Sequence, residues 1–235
     1  MIRRSLFAFA VLALSAVSAQ AEEKQLFNGK DLTGWEGRKD LWSVQDGAIT
    51  GKTTADKPIK NNTFLVWEGE VSDFELTFKY RIVAGNSGMQ YRSKVISEND
   101  ETGPIVGGYQ ADFEAGKTYS GINYEERGRG ILALRGERTK ITTDPADSSK
   151  HVKTKVGPTA NSSEELQAAI KSEDWNTYRI VAKEYTLQHY INGKLTCEVI
   201  DEDAARAVRS GKLALQLHAG PPMVVQMKDV VLKTE

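Results

Sequence analysis

The chain holds one cysteine, Cys197, among its 235 residues. An internal disulfide is thereby excluded, as is a metal centre built on several thiolates, so the fold must rest on its apolar core. Neither sign of charge is in excess: 31 Lys and Arg stand against 32 Asp and Glu, a formal net charge of −1. That balance gives no reason to expect nucleic acid or an anionic membrane surface as a partner. Of the 3 histidines, none stand in H-x-x-x-H spacing, so no helical metal-binding motif is present. An apolar run long enough to cross a bilayer is missing as well. The nearest approach, residues 6–17, comes after the basic pair Arg3-Arg4 and ends in Ala19-Gln20-Ala21. Basic start, apolar middle and small-x-small end, in that order, read as an export signal at 1–21 cut after Ala21. No cysteine stands beyond the run to accept a lipid at its end. The expectation is a periplasmic or secreted protein of residues 22–235 without a membrane anchor, its net charge taken to −3 by the loss of Arg3 and Arg4.

Beyond the leader the chain reads as strands. Phe74, Leu76, Phe78, Tyr80 and Ile82 alternate with Glu75, Thr77, Lys79 and Arg81, the period of a half-buried strand. Runs of the same kind occupy 63–67, 88–92, 109–113, 121–124, 131–134, 177–182, 186–191, 195–200, 213–218 and 224–232. Asn192-Gly193 joins two of them in the manner of a type I′ hairpin, which needs φ above zero at both central residues. One helix is expected over 163–172, opened by the capping-box pair Ser162 and Glu165. Many strands, one helix and frequent glycine turns predict an all-β fold of two packed antiparallel sheets in a single domain. The polar stretches 95–104 and 143–161 read as long loops, and no internal repeat is present.

In a sandwich each strand gives one face to the core, so the other face carries the information. Met89 and Tyr91 set the inward parity of one strand and leave Gln90 and Arg92 outward. By the same rule Gln110 and Asp112 face out between Tyr109, Ala111 and Phe113, and Gln216 and His218 face out beside Leu215 and Leu217. Amides, one guanidinium, one carboxyl and one imidazole are groups that bind sugar hydroxyls and move protons. The segment Tyr124-Glu-Glu-Arg-Gly-Arg129 adds Tyr124, Glu125 and Arg129, although dense charge at a strand end also makes ordinary surface ion pairs. His189 shares the parity of Leu187 and Ile191 and reads as a satisfied inner histidine.

Seven motifs stand in order along the chain: LFNGKDLTGW at 26–35, WSVQDGAITG at 42–51, GNSGMQYRS at 85–93, GGYQADF at 107–113, YEERGRGILA at 124–133, HYINGK at 189–194 and LALQLHAGPPMVVQMKDVVLK at 213–233. Together they resemble the 3-keto-disaccharide hydrolase domain family. The resemblance implies a concanavalin A-like lectin/glucanase sandwich, or jelly roll, acting on glycosides oxidised at the sugar C3 hydroxyl. It carries candidate site positions onto Gln90, Arg92, Gln110, Asp112, Tyr124, Glu125, Arg129, Gln216 and His218.

A ketone at C3 acidifies the C2 proton, and the enolate formed by its removal can expel the C1 aglycone, avoiding an oxocarbenium-like transition state. Such a route needs a base, an enolate stabiliser and an acid. Asp112 or His218 is the expected base, Arg92 or a bound divalent cation the stabiliser, and Tyr124 or Glu125 the acid, with Gln90, Gln110, Gln216 and Arg129 binding substrate. Asp112, Glu125 and His218 are ligand types a divalent cation accepts, and the metal question is open at this level. Two alternatives stand beside the keto-sugar enzyme. One is a conventional endo-glucanase, against which the missing Glu-x-Asp-x-x-Glu strand motif argues; the other is a carbohydrate-binding module without catalysis.

Overall fold

The computed structural model describes residues 22–99 and 101–234, and within them seventeen strands and one helix. The export signal expected at 1–21 lies outside these residues. In chain order the first strands are β1 (Glu22–Gln25), β2 (Trp35–Glu36), β3 (Trp42–Gln45), β4 (Ala48–Lys52), β5 (Thr63–Trp67) and β6 (Phe74–Val83). They lead to β7 (Asn86–Ser97), β8 (Ile105–Glu114), β9 (Asn123–Glu126), β10 (Gly130–Ala133), β11 (Glu137–Thr143) and β12 (His151–Pro158). After helix α1 (Ser163–Ala168) come β13 (Asn176–Lys183), β14 (Thr186–Ile191), β15 (Lys194–Glu202), β16 (Lys212–Leu217) and β17 (Val224–Thr234).

Two sheets result. The larger has the order β12-β11-β15-β14-β13-β6-β17-β4-β3, with β1 added against β17, and the smaller has the order β10-β9-β8-β7-β16-β5-β2. Period-two alternation positions the core between them. Leu76, Phe78, Tyr80, Tyr178 and Ile180 from the larger sheet meet Met89, Tyr91, Tyr109, Phe113 and Leu215 from the smaller. The rings of Tyr80 and Phe113 lie 4.3 Å apart between centroids, and Phe78 stacks on Tyr178 at 5.5 Å. His189 is fully buried in this seam. Its Nδ1 pairs with the Ile122 carbonyl at 3.1 Å and its Nε2 with the Tyr91 hydroxyl at 2.9 Å, while Asn123 donates to the same hydroxyl. Burial pushes the imidazole down to about 3, so it stays neutral and donates only from Nδ1. It is the satisfied inner histidine that its parity implies.

Three expectations need correction. The stretch 143–161 is not one loop, since β12 occupies His151–Pro158 and pairs with β11 along the sheet edge. Its side chains are mostly exposed, and lysines at 153 and 155 protect an edge strand without producing an apolar face. The sheets are not purely antiparallel, because β11 runs parallel to β15. Helix α1 ends at Ala168, shorter than its periodicity suggests, although the capping box of Ser162 and Glu165 is fully formed.

The hairpin between β14 and β15 has φ of 49° at Asn192 and 79° at Gly193, as a type I′ turn requires. Asn192 also donates to the Ala169 carbonyl and to Asn176, and accepts from the Thr177 amide. A Cβ at position 193 would touch nothing within 4 Å, so a substitution there is opposed by backbone strain alone. Gly193→Ala should therefore cost about 1–2 kcal/mol in urea unfolding, and Asn192→Ala at least as much through its lost hydrogen bonds. Unchanged midpoints for both variants would show that the turn carries no strain.

Candidate active site

Strands β9, β8, β7 and β16 are neighbours in the smaller sheet, so their outward side chains share one surface. Register places Gly88 opposite Asp112, Gln90 opposite Gln110, and Gln110 opposite Tyr124. On the other flank Ala214 pairs with Gln90, bringing Gln216 alongside. The surface is hollowed into a cleft of about 410 Å³. Asp112, Gln110, Tyr124, Gln216 and His218 all line it, joined by Asn62, Asn86, Glu114 and Glu126. Strand parity thus gathers Gln110, Asp112, Gln216 and His218 on a single face, and the structure adds Tyr124.

Asp112 is 5% exposed. Its Oδ1 accepts from Gln110 Nε2 at 2.5 Å, while Gln110 Oε1 accepts from Gln90 Nε2 at 2.6 Å. Burial raises the Asp112 carboxyl to about 8, the nearby charges of Glu126 and Glu114 add to the rise, and hydrogen bonds from Gln110 and Asn86 oppose it. A carboxyl poised near neutrality in a polar cleft is suited to proton transfer. Tyr124 is raised too, chiefly by burial and then by Glu126 and Asp112, so it remains a neutral hydroxyl donor. His218 Nδ1 lies 2.6 Å from the Ala219 carbonyl. A carbonyl accepts only, so the Nδ1 proton points at it and the neutral ring has its lone pair on Nε2. Glu126 accepts from Asn62 and from Gln216, each at 3.3 Å. Gln216 Oε1 is buried without a partner among the described residues, which leaves it one acceptor to offer.

Arg92 does not belong to this surface. The register between β7 and β8 slips after Tyr91, and Arg92 itself has φ of 47°, so the outward alternation breaks one residue short of where the sequence predicts it to end. Its guanidinium is buried and donates to the carbonyls of Ser72 and Glu184, both at 2.7 Å, and to the Asp73 carboxylate at 2.9 Å. It ties loops together rather than facing a substrate.

Glu125 and Arg129 are also placed elsewhere. Glu125 has the opposite parity to Tyr124 and receives both the backbone N–H and Nε of Arg129. Arg129 reaches on to Asp201 at 2.6 Å and Asp203 at 3.3 Å, and Asp201 accepts from the Tyr109 hydroxyl. This cluster joins the two sheets at their edge, and it separates Glu125 from Asp112 and His218, its companions in the expected cation site. Among the described residues no group of three or more His, Cys, Asp and Glu side chains could hold a metal ion. Gln90 is completely buried, a support beneath the cleft and not a surface for substrate.

Glu126 is absent from the residues expected by sequence because the strand is expected to end at Tyr124. Carrying the alternation two residues further puts Glu126 on the face of Tyr124 and Glu125 behind it. Asn62 sits just before β5 and has no periodic signal to reveal it.

A sandwich of this topology with a polar cleft on one sheet is a concanavalin A-like jelly roll, a fold of glycosyl hydrolase-like and carbohydrate-binding proteins. The chain belongs to the family of the 3-keto-alpha-glucoside-1,2-lyase-like domain, whose model matches residues 22–233. Among solved structures it is similar to a "putative glycosyl hydrolase" from Parabacteroides distasonis ATCC 8503, at 18% identity and a TM-score of 0.52 over 90% of this chain and 93% of that one. It is likewise similar to the carbohydrate-binding module CBM66 from Bacillus subtilis, at 14% identity and a TM-score of 0.52 over 86% and 96%. A Bacillus subtilis protein of unknown function with a galectin-like fold gives a TM-score of 0.58 at 10% identity, over 90% and 94%. At such identities these structures speak for the fold. No protein of curated function matches the sequence.

Two outcomes test this geometry. The folded Asp112 carboxyl, at about 8, lies above the ordinary value of 3.8, so the stability it contributes when protonated is complete below pH ~4 and is lost as pH rises through ~8. Asp112→Asn cannot ionise, so its unfolding free energy should exceed that of the native protein by a margin that is small at pH 4, grows towards pH 8 and then levels off, reaching at least ~2 kcal/mol. A margin independent of pH would mean that Asp112 ionises as an ordinary surface carboxyl. Arg92→Lys keeps the charge but not the fork of donors, and should lower stability by about 2–4 kcal/mol in urea unfolding.

Proposed function

We propose that the protein is an exported enzyme that cleaves glycosides or disaccharides carrying a ketone at C3 of the sugar. The observation that carries the reading is the pairing, in one cleft, of a carboxyl raised to about 8 at Asp112 with the imidazole of His218, whose Nε2 meets no hydrogen-bond partner among the described residues. Membership of a family described by 3-keto-alpha-glucoside lyase chemistry supports the substrate class.

In this reading His218 Nε2 removes the C2 proton, and the electrons of that bond form an enolate across C2, C3 and the ketone oxygen. The Tyr124 hydroxyl and the Asn86 amide are the neutral donors in the cleft that face the developing oxyanion. As the C3 carbonyl re-forms, the C1–C2 double bond forms and the C1–oxygen bond breaks. The Asp112 carboxylic acid delivers its proton to the departing aglycone oxygen. Addition of water to the unsaturated product then gives net hydrolysis. Glu126 accepts from Gln216 and Asn62 and holds both in place along the cleft wall.

The test is turnover of matched glucosides and 3-keto glucosides, with and without a chelator. Aglycone should be released only from the keto forms, and Asp112→Asn or His218→Ala should each reduce the rate at least ~100-fold. Brisk cleavage of an unoxidised glucoside would reject elimination in favour of a conventional glucanase. Sugar binding with turnover of neither substrate would make the protein a binding module.

A further inference from the structure

Beneath the cleft floor runs a line of polar side chains almost wholly shut off from solvent. Ser93 Oγ donates to Gln90 Oε1 at 2.8 Å, Gln90 Nε2 to Gln110 Oε1 at 2.6 Å, and Gln110 Nε2 to Asp112 Oδ1 at 2.5 Å. Ser93 and Gln110 are 2% exposed and Gln90 not at all. Three buried polar residues in series are destabilising unless each is satisfied, and here every link points the same way. The backbone is built to accommodate them. A Cβ at Gly88 would stand 2.5 Å from Gln110 Cγ and 2.7 Å from its Cδ, so the missing side chain is the space in which the Gln110 amide lies. A Cβ at Gly108 would collide with the Ser93 hydroxyl in the same way. The β7 bulge that removes Arg92 from the cleft also brings Ser93 back within reach of Gln90, three residues earlier.

We propose that Ser93, Gln90 and Gln110 form a positioning chain that fixes the rotamer of Asp112 and the hydrogen bond its Oδ1 accepts. The Gln110 amide holds Oδ1 as an acceptor, and Asn86 donates to the same carboxyl. The direction of the chain matters: a reversed Gln110 would present its carbonyl to Oδ1 and draw the proton there. Gln90, whose Nε2 donates to Gln110 Oε1, holds Gln110 in the donating orientation, and Ser93 Oγ meets Gln90 Oε1 while also lying 3.0 Å from the Tyr91 carbonyl and 3.4 Å from the Tyr109 carbonyl. The three are positioning residues, which act through Asp112; Ser93 and Gln90 lie behind the cleft, and Gln110 lines it.

The groups that face Asp112 are few. Glu114 lies on its own strand, Glu126 and Tyr124 come from β9, and His218 lines the cleft from beyond β16. The facing part of β7 offers Gly88 and Asn86 and no titratable group, and on the core side Tyr178 and Cys197 feel the Asp112 charge. None of these is altered by substitutions in the chain, so a changed Asp112 titration in such variants reports on the chain itself.

The chain takes its catalytic meaning from the function proposed above, yet it can be tested without substrate. In protein labelled with 13C at aspartate carboxyls, the Asp112 signal is assigned by its loss in Asp112→Asn and followed against pH. Gln110→Met should move its midpoint upward by at least about one pH unit, since a hydrogen bond that favours the carboxylate is lost. Gln90→Met and Ser93→Ala should move it in the same direction by smaller steps, as Gln110 becomes free to turn. In turnover of a 3-keto glucoside, the same two variants should lower kcat about tenfold with little change in KM. An Asp112 midpoint unmoved in Gln90→Met and Ser93→Ala would overturn the chain. If the Met variants fail to fold, Ser93→Ala, which deletes one oxygen, decides by itself. Absence of turnover in the native protein would reject the glycoside-cleaving function, while the titration would still decide whether the chain acts on Asp112.

Discussion

Phe78, Tyr80 and Tyr178 of the larger sheet pack against Tyr91, Tyr109 and Phe113 of the smaller one, and the cleft depends on that seam. Aromatic pairs contribute about 0.5–1.5 kcal/mol each beyond the area they bury, but the larger effect is geometric. Once Tyr91, Tyr109 and Phe113 are committed to the core, the pleat leaves Gln90, Gln110 and Asp112 no face but the outer one. A slip of one residue in β8 would bury Asp112 among rings and expose Phe113, which the packing of Phe113 on Tyr80 forbids.

The seam is closed at its edges by charge. Arg92 collects the carbonyls of Ser72 and Glu184 together with Asp73, and Arg129 collects Glu125, Asp201 and Asp203. Burial works against both cations, but for Arg129 the carboxylates of Asp201 and Glu125 outweigh it and hold the guanidinium charged. Such clusters are costly to break and contribute little by comparison with apolar replacements. Their role here is to bind elements of one sheet to those of the other at the edges of the seam.

The chemistry of the cleft derives from what the seam exposes. A carboxyl set on a sheet face, shielded from water and beside Glu126 and Glu114, retains its proton near neutrality. The imidazole of His218, just past the end of β16, is oriented by a backbone carbonyl instead of by a second carboxylate. A carboxyl and an imidazole in one polar cleft are groups suited to acid–base chemistry.

Much of this is legible in the residues. Strand alternation from Phe74 to Ile82, the turn at Asn192-Gly193 and the capping box at Ser162 are local, since each depends on side-chain period or backbone φ and on nothing distant. The outward set of Gln110, Asp112, Gln216 and His218 is legible for the same reason, once the motifs point to a sandwich. Beyond the reach of local rules the residues are silent. The bulge after Tyr91 turns Arg92 away from the cleft, and no residue type announces it, because the slip is set by how β7 must meet β8 and β16 together. Glu125 and Glu126 are chemically alike, and only the strand bounds and the distant Asp201–Arg129 pair decide that one braces the sheets while the other faces the cleft. β12 has only a short alternation, Val152, Thr154 and Val156 against Lys153 and Lys155, inside a polar stretch, because an edge strand has neighbours on one side only and needs no apolar face. Period and turn chemistry determined the architecture and the face that bears the cleft; contacts between residues far apart in the chain decided which charged groups serve that cleft and which hold the sheets together.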